Sequence, residues 1–277
     1  MSGRTAIVTG AGAGLGRAEA LALAKDGHSV VVNDLSDTGV VAEIEEAGGK
    51  ALFVAGDVSE RATADVLLSA AVDHFGGLHV LVNNAGVLRD RMIFSMSDEE
   101  WDTVIRVHLR GHFLLSRNAT AYWRRQSKVE GRPVYARVVN TASEAFLFGA
   151  PGQPNYSAAK AGIAALTVAT ARGCARYGVR ANAICPRART AMTEAVFGDA
   201  PAEGVDPLSV EHVAPFVAFL ASPEADTVNG QVFVVHGGNV ALVAPPTVER
   251  TWNLAELAGL PGHFAGRDQM FASEELL

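Results

Sequence analysis

The residues with the clearest chemical potential are Tyr156 and Lys160, four positions apart in an alanine-rich segment. Because alanine favours helix, residues 155–177 are predicted to be helical, and this spacing puts the two side chains on one face, one turn apart. An ammonium beside a phenol stabilises the phenolate and lowers the tyrosine pKa from its reference value of about 10. The pair therefore predicts a proton-transfer group, although the same spacing also occurs on ordinary surface helices.

A glycine-rich run, Gly-Ala-Gly-Ala-Gly-Leu-Gly at 10–16, follows a predicted strand at 4–9 and precedes a predicted helix that extends to about Asp26. The free N–H groups at the start of such a helix can bind a pyrophosphate. The usual Gly-x-Gly-x-x-Gly fingerprint does not fit, because its last glycine would fall on Leu15 or Arg17. The pattern Thr-Gly-x-x-x-Gly-x-Gly does fit and predicts a dinucleotide site. A helix-capping loop with incidental glycines is the alternative.

Asp34 follows the second predicted strand, at 29–32, and lies 18 residues beyond Gly16. An acid about 20 residues after the glycines accepts hydrogen bonds from the adenosine ribose, and its charge would repel a ribose 2′-phosphate. No lysine or arginine lies between Gly10 and Gly16. These observations predict NAD rather than NADP as the cofactor, the alternative being a solvated acid in a turn.

Strands and helices alternate along most of the chain. Further strands are predicted at residues 51–55, 79–82, 133–140, 179–185 and 231–235. The alternation predicts an α/β protein with a seven-stranded, mostly parallel, doubly wound sheet and helices on both faces. Ligands of such sheets bind beyond the carboxyl ends of the strands, so Asp57, Asn84 and Ser143 are expected at one edge.

Two helix starts can be predicted from capping residues. Ser59 is expected to cap a helix that runs to about Phe75, and Ser97 with Glu100 forms a capping box that begins another. Residues 1–240 are predicted to form one dinucleotide-binding and catalytic domain. Residues 241–277 are predicted to form an ordered arm that packs on this domain or on a neighbouring subunit.

Composition argues against several classes of protein. The 277-residue chain has a net charge of -7 and no long basic run, which disfavours binding to nucleic acid or to an anionic membrane surface. Cys174 and Cys185 are the only cysteines, and there is no signal peptide or apolar stretch of about 20 residues, so the cytoplasm is the expected location. Because no cysteine or histidine has metal-ligand spacing, no metal site is predicted.

Several motifs occur together in an order and spacing typical of one family, namely residues 9–16, residues 83–86, Ser143, Tyr156 and Lys160. Residues 3–240 therefore resemble the short-chain dehydrogenase/reductase family. The resemblance implies a three-layer Rossmann fold. It implies that Tyr156 exchanges a proton with the substrate oxygen, that Lys160 lowers the tyrosine pKa and holds the nicotinamide ribose, and that Ser143 hydrogen-bonds the same oxygen. The implied cofactor contacts are Gly10, Gly14, Leu15, Gly16, Asp34, Leu35, Asp57, Val58, Asn84, Ala85, Gly86, Tyr156, Lys160, Pro186 and Thr190.

Two positions depart from the family pattern. His108 stands where the family has an asparagine that shapes a proton-relay water, so it is a candidate fourth catalytic residue; it could hold that water or be a packed helix residue. After the sixth strand the usual Pro-Gly is Pro186-Arg187, with one residue fewer before Thr190. The second departure predicts a cofactor loop of different shape.

A subgroup is indicated by three runs: Asn-Asn-Ala-Gly-Val-Leu-Arg-Asp-Arg at 83–91, Trp-Asp at 101–102 and Arg-Val-His-Leu-Arg-Gly at 106–111. They are similar to the 3-hydroxyacyl-CoA dehydrogenase unit of peroxisomal multifunctional enzymes, which is also a 17β-hydroxysteroid dehydrogenase. This implies NAD-dependent interconversion of a secondary alcohol and a ketone, with a 3-hydroxyacyl-CoA or a hydroxysteroid as substrate. A 3-oxoacyl carrier-protein reductase, which Asp34 disfavours, and a non-catalytic NAD-binding sensor are the alternatives.

Two surface features suggest partners. A polar segment at 124–132 is predicted to be a solvated loop or, alternatively, a contact for the phosphates of a coenzyme A ester, through Arg124, Arg125, Lys128 and Arg132. The helix from 158 to 177 is rich in small residues, namely Ala158, Ala161, Gly162, Ala165 and Ala169. Small side chains permit close approach of another helix. A homo-oligomer, either a tetramer or a dimer, is therefore expected.

Overall fold

The computed structural model of the chain describes residues 3–193 and 197–265. Eight strands form one sheet in the order β3-β2-β1-β4-β5-β6-β7-β8, and all neighbours are parallel except β7 and β8. The strands are β1 Thr5–Thr9, β2 Ser29–Asp34, β3 Lys50–Ala55, β4 Val80–Asn83, β5 Ala136–Thr141, β6 Val179–Pro186, β7 Val232–His236 and β8 Asn239–Leu242. The strand order reverses between β1 and β4, which is where such sheets bind ligands.

Helices cover both faces of the sheet. The α-helices whose bounds the described residues define are α1 Gly14–Lys25, α2 Val40–Glu46, α3 Arg61–Phe75, α4 Asp98–Ile105, α5 Gly111–Glu130, α6 Ala145–Phe148, α7 Pro154–Cys174, α8 Ala214–Leu220 and α9 Leu260–His263. One apolar core packs α1, α2 and α8 against the sheet, and a second packs α3, α5 and α7. The central strands are buried on both faces, as their continuous apolar runs favour. The three-layer Rossmann fold is confirmed.

The eighth strand corrects the seven-stranded prediction, in which the strand at 231–235 was the last. Gly237 and Gly238 lie between β7 and β8. Both glycines have positive φ, +55° and +81°, and they turn the chain back on itself so that His236 pairs with Asn239. Two consecutive residues with positive φ are what a tight two-residue hairpin turn requires. The glycine pair therefore connects two antiparallel strands, and β8 crosses the predicted domain boundary at residue 240.

The helix starts agree with one predicted cap and disagree with the other. Ser97 accepts from the Glu100 N–H at 3.2 Å, and the Glu100 carboxylate accepts from the Ser97 N–H at 2.8 Å, so the capping box at α4 is confirmed. The prediction that Ser59 caps α3 is wrong. The helix begins after Glu60, without a side-chain cap, and the Ser59 hydroxyl oxygen has no hydrogen-bond partner within the described residues. The Ser59 N–H donates to the Asp57 carboxylate at 2.8 Å, which holds Ser59 in the turn before the helix.

The polar segment at 124–132 is not a loop, because α5 continues through it to Glu130. Its position also contradicts a role in binding coenzyme A phosphates. The end of α5 leads into the start of β5, and Arg124 Nε lies 3.3 Å from the hydroxyl of Tyr177, just before the start of β6. These basic side chains therefore lie near the amino ends of the strands, opposite the edge where the predicted site residues meet.

The described part of the C-terminal arm has little packing of its own. From residue 244 to 265, every residue is exposed except Trp252, Leu260 and His263. The rings of Trp252 and His263 meet edge to face, with their centroids 5.1 Å apart. This segment therefore does not pack on the domain in a single chain, while the predicted conformation of residues 266–277 lies outside the described residues.

Candidate active site

A cavity of about 460 Å³ opens at the carboxyl ends of β1, β2, β4, β5 and β6. Every predicted catalytic or cofactor-binding residue lines it except Gly16. These residues are Gly10, Gly14, Leu15, Asp34, Leu35, Asp57, Val58, Asn84, Ala85, Gly86, His108, Ser143, Tyr156, Lys160, Pro186 and Thr190. Segments distant in the sequence thus converge on one cleft, with the glycine loop and Asp34 in one part and Tyr156 with Lys160 in another.

The glycine loop is held closely against its neighbours. A Cβ atom on Gly10, whose φ is +62°, would lie 2.7 Å from the Cα atom of Ala85. A Cβ atom on Gly16 would lie 2.2 Å from the carbonyl oxygen of Gly10. Gly16 therefore lies behind the loop, where it lets α1 pack closely, while Gly10 and Gly14 face the cavity. Thr190 closes over the loop, since a Cβ on Gly14 would be 3.3 Å from its methyl group.

The start of α1 fits a dinucleotide phosphate. Its N-cap residue, Ala13, has no side chain that could cap the first N–H groups of the helix, and Ala13 and Gly14 both line the cavity. Uncapped N–H groups at a helix start, together with the positive end of the helix dipole, favour an anion. The residues present therefore fit the pyrophosphate of a dinucleotide.

Asp34 is fixed in place by two backbone groups. Its Oδ2 accepts from the Gly12 N–H at 2.9 Å, and its Oδ1 accepts from the Leu35 N–H at 2.7 Å. Each carboxylate oxygen keeps a further lone pair, so the group can still accept hydrogen bonds from two ribose hydroxyls. Leu35, in contrast, leaves 73% of its surface exposed. The carboxylate is therefore pre-organised at the far end of the cavity.

Thr9 and Asn84 join the glycine loop to the loop after β4. The Thr9 hydroxyl accepts from the N–H groups of Asn84 and Ala85 at 3.1 and 3.2 Å. The Asn84 side-chain amide donates to the carbonyls of Thr9 and Gly10 at 3.1 and 3.2 Å. Asn84 therefore shapes the cavity by bridging two loops as well as lining it.

Asn155, which the sequence reading did not single out, positions Tyr156. It is completely buried, and its side-chain oxygen accepts from the Tyr156 N–H at 2.8 Å. Its side-chain nitrogen donates to the carbonyls of Arg89 and Glu100 at 2.9 and 3.1 Å. The first turn of α7 is thereby fastened to the segment after β4 and to α4. The signal available in the sequence was a polar residue at a helix start, directly before the tyrosine.

Tyr156 and Lys160 meet on one face of α7, as predicted, but the expected lowering of the tyrosine pKa is wrong for this structure. Burial raises the pKa of Tyr156 to about 12, although a hydrogen bond with Ser143 acts in the opposite direction. Burial also lowers the pKa of Lys160 to about 7, while its Nζ donates to the Thr141 carbonyl at 2.5 Å. Loss of solvation therefore favours the neutral form of each group over the ion pair that the spacing suggested.

His108 lies in a π-helical turn, Arg106–Arg110, between α4 and α5. Its Nε2 lies 2.8 Å from the carbonyl oxygen and 3.0 Å from the nitrogen of Val87, and its ring meets that of Tyr156 edge to face at 5.2 Å. Burial, with a further contribution from the charge of Lys160, lowers its pKa well below the usual 6.5. The neutral ring thus contacts both Tyr156 and the loop that follows Gly86.

The backbone carbonyl oxygen of His108 also accepts a hydrogen bond. His112, one turn further along the helix, donates from Nδ1 to the His108 oxygen at 2.8 Å. Because a carbonyl can only accept, this contact assigns the proton of His112 to Nδ1. Burial lowers the pKa of His112 to about 3, so this ring is neutral. His108 and His112, in successive turns, are therefore both uncharged.

Within residues 3–193 and 197–265, no group of three or more histidine, cysteine or acidic side chains could hold a metal ion. Over the same residues, no helix is long and apolar enough to cross a membrane. Residues 194–196 lie outside the described residues.

Comparisons with known proteins agree with this geometry. The family model described as short chain dehydrogenase matches residues 4–200. The hydroxyacyl-CoA dehydrogenase ChsB1 of Mycobacterium tuberculosis is 58% identical, over 100% of this chain and 94% of that protein. The peroxisomal multifunctional enzyme type 2 of Mus musculus is 42% identical, over 85% of this chain and 32% of that longer protein. A short chain dehydrogenase crystal structure from Mycobacterium avium is 46% identical, with a TM-score of 0.84 over 95% of this chain and 94% of that one.

The fold and the cavity define an oxidoreductase of the nicotinamide-dinucleotide type. The chain belongs to the short-chain dehydrogenase family. The similarity to the peroxisomal multifunctional enzymes, predicted from the runs at 83–91 and 106–111, is confirmed.

Proposed function

We propose that this enzyme uses NAD to interconvert the alcohol and the ketone of a 3-hydroxyacyl-CoA, with a hydroxysteroid as the second candidate substrate. The observation that carries the proposal is the convergence of Ser143, Tyr156 and Lys160 in the same cavity as a pre-organised Asp34. The name of the 58% identical relative, a hydroxyacyl-CoA dehydrogenase, supports the thioester as substrate.

The proposed mechanism assigns the proton to Tyr156. In the oxidation direction its phenolate takes the proton of the substrate hydroxyl, and in the reduction direction its phenol returns it. Ser143, which is hydrogen-bonded to Tyr156, contacts the same substrate oxygen and fixes its position. Lys160 lies with Nζ 5.3 Å from the centroid of the tyrosine ring and is assigned to holding the nicotinamide ribose. The nicotinamide, when bound, supplies the carbon that exchanges hydride with the substrate.

Turnover separates this function from its alternatives. We expect formation of reduced nucleotide when the protein is mixed with NAD and a 3-hydroxyacyl-CoA. Tight NAD binding without turnover of any alcohol would favour the sensor. A strong preference for NADPH with a carrier-protein thioester would favour the 3-oxoacyl carrier-protein reductase. The cytoplasmic location expected from the sequence stays a prediction.

The choice of NAD rests on the charge of Asp34. Because a carboxylate repels a ribose 2′-phosphate, the change Asp34→Asn should lower the ratio of kcat/KM for NAD to kcat/KM for NADP by about 10- to 100-fold, which is about 1.4 to 2.8 kcal/mol. Asp37→Asn, at an exposed acid three residues away, is the control and should leave the ratio unchanged. A wild-type enzyme that prefers NADP would contradict the assignment.

For His108 we propose an anchoring role. The contacts of its Nε2 with Val87 support it, because Val87 lines the cavity and an imidazole can fix the backbone there as a side-chain amide would. Its Nδ1, which has no protein hydrogen-bond partner in the described part of the chain, leaves the relay-water role open as an additional one.

Two variants test the anchor. His108→Asn keeps groups that can bond to Val87 and should lower kcat/KM by less than about tenfold. His108→Leu removes them, leaves Val87 unpaired, and should lower kcat/KM about 100-fold, a loss of about 2.7 kcal/mol. Steady-state kinetics with both substrates measure the difference. Equal effects of the two changes would contradict an anchoring role.

We also propose that the protein forms a homo-oligomer through α7. Ala158, Ala161, Ala165 and Ala169 are all exposed and follow one another at helical spacing. In the described arm, Val248 and Leu254 are more than 80% exposed, which supports contact with a neighbouring subunit.

A bulky charge on this face should prevent association. We expect Ala165→Arg to shift the molar mass in sedimentation equilibrium from that of a dimer or tetramer toward that of one chain, because a buried unpaired charge costs several kcal/mol. The control is Ser69→Arg on the exposed face of α3, which should keep the wild-type mass. A wild-type protein that sediments as a monomer would overturn the proposal.

A further inference from the structure

A partly buried ion pair lies directly behind the proposed catalytic serine. Arg187 Nε donates to Glu144 Oε2 at 2.6 Å, and Arg187 Nη2 donates to Oε1 at 2.8 Å. The two side chains are only 23% and 10% exposed. Two parallel bonds between a guanidinium and a carboxylate fix both distance and orientation, unlike a mobile surface pair. The hydrogen bonds with Glu144 raise the pKa of Arg187, so the arginine remains charged.

Each partner is covalently adjacent to a residue of the cavity. Glu144 follows Ser143, and Arg187 follows Pro186, but neither charged side chain lines the cavity itself. The pair is therefore placed to act through the positions of Ser143 and of the segment from Pro186 to Thr190.

The backbone around the pair shows what it fastens. The last bond from β5 to its neighbour is from the Ala142 N–H to the Ile184 carbonyl, at 2.7 Å, after which the chain leaves the sheet. Arg187 remains tied to β7, since its N–H donates to the Val235 carbonyl at 2.9 Å. Within the residues that the structure describes, no other ion pair joins residues 143–148 to another element. Glu144 thus supplies the ion-pair link between the loop and the sheet edge, in addition to the apolar packing of Phe146 against the core cluster that contains Ala183 and Cys185.

We propose that the Glu144–Arg187 pair is a positioning device that holds Ser143 against Tyr156 and couples the serine loop to the segment carrying Pro186 and Thr190. The inference rests on the proposed function. Arg187 occupies the position where the family pattern has glycine, so the departure seen in the sequence acquires a role. A displacement of about 1 Å at a catalytic group can lower the rate about 100-fold, so the pair is expected to affect kcat.

A double-mutant cycle with Glu144→Gln, Arg187→Met and the combined variant tests the proposal. Each single change should lower kcat about 10- to 100-fold at saturating substrates, with a smaller rise in the KM for NAD, because Pro186 and Thr190 are only two of the expected cofactor contacts. The combined variant should be no slower than the slower single variant. Glu144→Gln leaves the positive charge of Arg187 unpaired, and Arg187→Met leaves the negative charge of Glu144 unpaired. A loss of positioning should therefore lower kcat in both variants, whereas a purely electrostatic effect would change kcat in opposite directions.

Asp226→Asn provides the matched structural control. Asp226 pairs with Arg137, whose side chain is almost fully buried, and with Arg180, at the amino ends of β5 and β6, away from the cavity. This change should lower the melting temperature without lowering kcat. If the single variants do not fold, Arg187→Lys and Glu144→Asp can replace them, because they keep the charges but lose the two parallel hydrogen bonds. These changes should still lower kcat about threefold or more.

Several results would overturn the positioning role. One is a kcat within about twofold of wild type together with a melting temperature that falls as it does in Asp226→Asn. Another is a pair of single variants whose kcat values change in opposite directions. If the wild-type enzyme is active and the variants have the same activity, only the positioning role of the pair is rejected. If the wild-type enzyme oxidises no alcohol, the positioning role and the proposed function are rejected together.

Discussion

Replacing Tyr156 with phenylalanine should lower kcat for alcohol oxidation by about 10²- to 10⁴-fold, the usual contribution of a general acid–base group. The change removes one oxygen from a ring that lines the cavity and leaves the edge-to-face packing with His108 in place. NAD affinity should therefore change by less than about threefold. Tyr177→Phe, at a tyrosine remote from the cavity, is the control and should retain full activity.

The pH dependence of the same enzyme follows from the direction of the tyrosine shift. Burial raises the pKa of Tyr156 to about 12, so the phenolate that oxidation requires is a minor species at neutral pH. The rate of oxidation should increase as pH rises. Reduction requires the phenol, which is already the major species at neutral pH, so its rate should not increase with pH. Tyr156→Phe should remove this pH dependence from its residual rate. A phenylalanine variant with wild-type turnover would rule out the tyrosine as the proton-transfer group.

The largest expected effect on stability comes from Glu19, in the middle of α1. Its side chain is completely buried, and neither carboxylate oxygen has a hydrogen-bond partner within the described residues. Burial raises its pKa from 4.5 to about 8. The folded protein therefore holds a proton that the unfolded chain releases, and the free energy of unfolding falls as pH rises from about 4.5 to about 8. Below that window the carboxyl is neutral in both states and carries no such penalty.

Glu19→Met should remove this penalty, because methionine fills a similar volume without a charge. We expect the free energy of unfolding to rise by about 4 kcal/mol at pH 8 and by about 1 kcal/mol or less at pH 5. Urea denaturation at both pH values, at one protein concentration, measures the difference. Glu45→Met, at an exposed glutamate of α2, is the control and should have little effect. Equal destabilisation by Glu19→Met at both pH values would mean that the carboxylate is stabilised in the fold.

Much of the fold could be predicted from the sequence because its signals are local. Apolar runs that end in glycine or polar residues marked the seven parallel strands, and the capping box at Ser97 marked the start of α4. The sequence also predicted that the glycine loop, Asp34 and Tyr156 lie close together, because the carboxyl ends of parallel strands share one edge of the sheet.

What could not be predicted depends on burial and on contacts between distant residues. The spacing of Tyr156 and Lys160 gave their proximity, but the direction of the tyrosine pKa shift depends on how much water the surrounding elements exclude. The π-helical turn that presents His108 to Val87 has no sequence marker that we could identify. Likewise, Glu19 resembles an ordinary helix glutamate until α1 is packed into the protein.

The most direct test of the central claim is a comparison of kcat/KM across a panel of 3-hydroxyacyl-CoA chain lengths and hydroxysteroids, each assayed with NAD and with NADP. We predict that at least one 3-hydroxyacyl-CoA or hydroxysteroid is oxidised efficiently, and at least about tenfold more efficiently with NAD than with NADP. Absence of turnover with every substrate, or a consistent preference for NADP, would contradict the proposed function.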